Sequence, residues 1–76
     1  MPDPDQNLEL AERAREVADS APAGSLEQAA AGSVAVTCAT TRSVAHARDV
    51  LDGVSPEPVR KAAIKLLDHL AGPHGH

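Results

Sequence analysis

Hydrophobic and polar positions divide the chain into two amphipathic stretches and, between them, one stretch without charge. From Leu8 to Asp19, Leu10, Ala11, Ala14, Val17 and Ala18 recur at helical spacing and share one face. Glu9, Glu12, Arg13, Glu16 and Asp19 cover the other face. The pattern predicts a surface helix over residues 4–19. Asp3 is placed to be its N-cap, with Pro4 in the first turn and Gln6 at capping-box spacing. Pro22 and Gly24 in the SAPAG segment predict a turn. Near the other end, Val59, Ala63, Leu66, Leu67 and Leu70 form the dry stripe of a helix over 56–71. Ser55 is the expected N-cap there, Pro56 opens the first turn, and Gly72 and Pro73 stop the helix. Residues 72–76 are expected to form a frayed tail.

The middle stretch is the difficult one. Ala29 to Thr41 contains no charged residue. Burial on more than one side would explain this, since buried unpaired charge is costly. Ser25 with Gln28 predicts a capped start, and Gly53 predicts an end just after Asp52. Leu26, Ala29, Ser33, Val36, Thr37, Thr40, Val44, Ala47 and Leu51 fall on one helical stripe. The expectation is therefore one long helix over 26–52, with any kink near Gly32-Ser33. Val34, Val36, Cys38 and Thr40 also alternate as a strand would. A strand at 33–40 would have no partner strand within the chain.

The predicted fold class is all-α: a small antiparallel three-helix domain with a long central helix, one domain over 1–76. Composition adds a reason for self-association. There is no Phe, Trp or Tyr, and Ala supplies fifteen of the apolar residues against fifteen for Leu, Val and Ile together. Small cores of this kind are usually completed by another chain. A homodimeric helical bundle is expected, with the second helices packed together. Val34, Cys38, Thr41, Ile64 and Leu67 are its candidate interface residues.

The net charge of −4 argues against nucleic acid and anionic membrane as partners. No apolar run approaches the roughly 20 residues of a membrane span. The N-terminus has no apolar leader, and a single Cys excludes an internal disulfide, so the cytoplasm is the expected compartment.

The candidate chemistry is sparse. Cys38 and His46, eight residues apart on a continuous helix, would be separated by about 12 Å and could not act together. His46, Asp49 and Arg42 form a polar cluster too small to bind a metal. His69, His74 and His76 gather near the end as a weak transition-metal tract. Arg60, Lys61 and Lys65 form a thin basic patch with no aromatic residue to stack on bases. Lys65 and Asp68 are spaced for a surface pair. No phosphate loop, dinucleotide fingerprint or paired cysteine motif is present. No catalytic residue, metal site or cofactor is predicted.

The leading functional expectation is a non-catalytic protein–protein interaction or regulatory module. Two alternatives remain. A strand at 33–40 followed by helices at 41–52 and 56–70 resembles, in element order only, the ribbon-helix-helix repressors, whose paired strands read the major groove. That resemblance implies a DNA-binding regulator, although 33–40 contains no Lys, Arg, Gln or Asn. The other alternative is a metal- or thiol-dependent protein using Cys38 or the C-terminal histidines.

Overall fold

The computed structural model describes residues 4–71, and four α-helices occur among these described residues. They are α1 (Pro4–Ser20), α2 (Leu26–Thr40), α3 (Val44–Leu51) and α4 (Glu57–Ala71). No strand occurs among the described residues. The all-helical expectation therefore holds, and the strand reading of 33–40 is corrected to helix. The expected Asp3 cap and the 72–76 tail lie outside the described residues.

The long central helix does not form. It divides into α2 and α3 at Thr41, Arg42 and Ser43, not at Gly32-Ser33. A continuous helix over 26–52 would be about 40 Å long, longer than the molecule's largest extent of 36 Å. Local chemistry makes the break. Thr40 and Thr41 donate their hydroxyls back to the carbonyls of Val36 and Thr37, bonds that compete with helix continuation. Thr41 is then extended, at φ −119° and ψ 165°. Ser43 starts the next helix: its hydroxyl accepts from the His46 N–H at 3.1 Å.

The other boundaries follow the sequence closely. Ser25 caps α2 by accepting from the Gln28 N–H, and Gln28 reaches back to the Gly24 N–H at 2.8 Å. Gly24 takes a φ of +78°, a conformation that glycine adopts without steric cost. After α3 the chain tightens through i to i+3 bonds from Gly53 to Val50 and from Val54 to Leu51. Gly53 therefore does not act as a left-handed cap. α4 begins at Glu57, one residue after the expected Pro56.

Helix α2 is the centre of the fold and packs on α1, α4 and α3. One contact fixes the α1–α2 pair. Asn7, 1% exposed, lies in the second turn of α1 and donates its Nδ2 hydrogens to the Thr41 carbonyl at 3.1 Å and to Thr41 Oγ1 at 2.9 Å. The start of α1 thus closes the end of α2. The two helices run antiparallel, because their other ends are joined by the short turn at residues 21–25.

The core consists of Leu10, Ala11 and Ala14 from α1, Ala30, Val34, Ala35 and Cys38 from α2, Ala47 and Leu51 from α3, and Ala63 and Leu67 from α4. The stripes expected on the first and last helices are borne out, with Val17, Ala18, Val59, Leu66 and Leu70 half-buried at their edges. The stripe expected on the middle helix is not. Of that stripe Leu26, Ala29, Val36 and Thr40 face solvent while Thr37 is buried, and the inward face is completed by Ala30, Ala31, Val34, Ala35 and Cys38. Val44, Ala47 and Leu51 continue the expected stripe, and they are at least partly buried. The break at 41–43 re-aims the chain, so one sequence stripe ends up on two sides of the molecule.

Candidate interaction surface

The five candidate interface residues lie mostly inside the single chain. Val34, Cys38 and Leu67 have no exposed surface, and Thr41 is buried beneath Asn7. Within the single chain these four residues lie in the intrachain core. Ile64 is half-buried and packs against that core.

The open apolar surface lies on the opposite side of α2. Ala29, Val36, Ala39 and Thr40 are exposed there, Gly32 and Ser33 are half-exposed, and none of them carries charge. Val36 is 66% exposed and Leu26 47%. α1 adds Leu8, 53% exposed, which lies off that helix's core stripe. Leu8, Ala11, Gly32, Ala35, Val36 and Ala39 line a groove of about 540 Å³ between α1 and α2, with Glu12 and Arg15 on the α1 side. On the other flank of Val36, a shallower hollow is bounded by Ala29, Ser33, Thr37 and Val54. Gly32 lies on this face at mid-helix, where glycine costs about 1 kcal/mol relative to alanine. A Cβ added there would meet nothing within 4 Å, so the intrachain packing does not require glycine.

The residues with chemical potential are not brought together. Burial pushes the Cys38 thiol above its ordinary pKa, which leaves it neutral and poorly nucleophilic near pH 7. His46 is exposed on α3, a different helix from the one that buries Cys38. His46, Asp49 and Arg42 all lie in solvent. No group of three or more His, Cys, Asp or Glu could hold a metal among the described residues. His69 is exposed on α4, while His74 and His76 lie outside the described residues.

Arg60 and Lys61, expected in a basic patch, both pair with Glu57, at 3.3 and 3.1 Å. Asp68, expected to pair with Lys65, instead pairs with Arg48 and ties α4 to α3. Lys65 stands with His69 and Glu27 beside a second groove floored by Val17, Ala30, Ala62 and Leu66. No helix is long and apolar enough to cross a membrane among the described residues.

Sequence reasoning read Val36 as core and missed Leu8 and Gly32 as surface features. The available signal was a mid-helix glycine one turn before a valine on the same helical face. The chain matches no protein-family model, no curated protein and no solved structure.

Proposed function

We propose that this chain is a non-catalytic protein–protein interaction module, of the regulatory or accessory class, that works as a homo-oligomeric helical bundle in the cytoplasm. One observation carries this reading: the uncharged outer face of α2, with Val36 and Leu26 exposed on it and Leu8 beside it, is left open by the chain's own fold. Contiguous exposed apolar surface on a small protein commonly marks an interaction site. Non-catalytic action fits the dispersal of the candidate nucleophile, bases and metal ligands over separate helices and environments. The net charge of −4 and the local pairing of Arg60 and Lys61 disfavour a nucleic-acid partner.

Light scattering after size exclusion, run over a range of micromolar concentrations, tests the reading. The expected result is a helical species of at least twice the 7.8 kDa chain mass. A folded helical species that stays at 7.8 kDa throughout would refute it.

A further inference from the structure

We propose that a second copy of this chain docks in the groove between α1 and α2, so that the two α2 helices cross at Gly32 and each Val36 enters the other copy's groove. This rests on the self-association reading and names its surface. Shape, the open space at Gly32 and charge together point to a second copy as the occupant.

The first is shape. Val36 projects beside the groove that it helps to line, and Gly32, one turn earlier, leaves the groove floor open. A knob next to its own hole is the arrangement a two-fold axis uses, because residue i then meets j while j meets i. The second is Gly32 itself. No intrachain neighbour occupies the space where its Cβ would be. A second backbone crossing closely at that point gives a mid-helix glycine a role that its own fold does not.

The third is charge. The outer face of α2 is uncharged, and the groove's charged residues are Glu12 and Arg15, one of each sign. Neither makes an ion pair among the described residues. A two-fold axis over the groove brings Glu12 of each copy toward Arg15 of the other. The chain carries a net charge of −4, so two copies repel overall, and this neutral face with balanced charges adds nothing to that repulsion. A nucleic acid or an anionic membrane would find no cationic excess here.

Sedimentation-equilibrium measurements on the full chain test the surface, with circular dichroism as the folding control. Gly32→Leu and Val36→Asp are expected to raise the dimer dissociation constant roughly tenfold or more, as loss of a central contact does. Helicity should be retained, since a Cβ at Gly32 meets nothing within 4 Å, leucine favours helix, and Val36 is solvent-facing. Glu12→Arg alone and Arg15→Glu alone should each weaken the dimer, and the double exchange E12R/R15E should restore it. This rescue reads the surface even if one apolar variant misfolds. A wild-type dimer whose dissociation constant none of these changes moves would overturn the docking surface and leave self-association standing. A wild-type chain that is monomeric at every concentration would remove both.

Discussion

The two faces of α2 are nearly alike in composition and opposite in fate. The inner face presents Ala30, Ala31, Val34, Ala35 and Cys38, all buried. The outer face presents Ala29, Gly32, Ser33, Val36, Ala39 and Thr40, all at least partly exposed. Each has one valine at its centre, surrounded by small residues. Val34 has no exposed surface, whereas Val36, two positions later, is 66% exposed. Hydropathy within the helix therefore does not decide which face turns inward. The choice is imposed from outside, by the dry stripes of α1 and α4 and by the Asn7–Thr41 contact. A helix without its own polar face is oriented by its neighbours and retains a spare apolar face once they are satisfied.

The comparison breaks if both faces respond alike to substitution. The largest expected contrast is in chemical denaturation. Leu67→Ala and Leu51→Ala, at core positions with no exposed surface, should each lower stability by about 2–5 kcal/mol. Val36→Ala on the open face should change the stability of the monomer by less than about 0.5 kcal/mol. A large monomer loss at Val36 would mean that the outer face is also packed within the chain.

The orienting contact comes next. Asn7→Ala removes two hydrogen bonds to Thr41 and leaves a buried carbonyl at the end of α2 without its Asn7 donor. A loss of about 1–3 kcal/mol is expected, with hydrogen exchange rising first around residues 37–41. Uniform exchange across the chain would show that Asn7 has no particular hold on α2.

Ser43→Ala tests the break that separates the faces. Loss of the cap on the His46 N–H should cost about 1 kcal/mol, and Ser25→Ala should cost the same at the other end of α2. Gly32→Ala has the opposite sign. At low protein concentration it should stabilise the fold by up to about 1 kcal/mol, because the added methyl meets nothing and alanine favours helix. A destabilised monomer would mean that the space at Gly32 is filled.

The smallest expected effect belongs to Cys38. Burial raises its pKa in the folded state, so the folded chain holds the thiol proton to higher pH than the unfolded chain does. This contribution is fully present below the unfolded thiol pKa of about 8.5. It is lost as pH rises from there through the higher folded value. Denaturation midpoints should therefore decline modestly above about pH 8.5, and Cys38→Ser should abolish that part of the decline. Thiol-reagent labelling in native buffer should be slow and should become rapid on unfolding. Fast native labelling would place Cys38 outside the core.

Much of the fold was legible because its signals are local. The Ser25–Gln28 cap and the turn at Pro22-Gly24 lie within a few residues of their effects, as do the stripes of α1 and α4. The break at 41–43 was less legible. Its Ser43 cap is local, but a continuous stripe from Leu26 to Leu51 argued for continuity. The contact that closes the end of α2 comes from Asn7, 34 residues away. Polar and outwardly unremarkable, Asn7 gives no sign in the sequence that it is buried. Val34, Cys38, Thr41 and Leu67 were read as facing another chain for a related reason. They are apolar or small, and only the packing shows that α1, α3 and α4 already cover them.

The sequence by itself determined that this chain is helical, where α2 begins, and that its centre is free of charge. Those properties follow from backbone capping, side-chain periodicity and the cost of burying charge, all of which act over a few residues. Only the tertiary structure decided which side of α2, over that charge-free stretch, is core and which is surface. A helix stretch with small, uncharged residues on every side has no orientation of its own. The neighbouring helices supply it, and they leave Val36 and Gly32 facing outward.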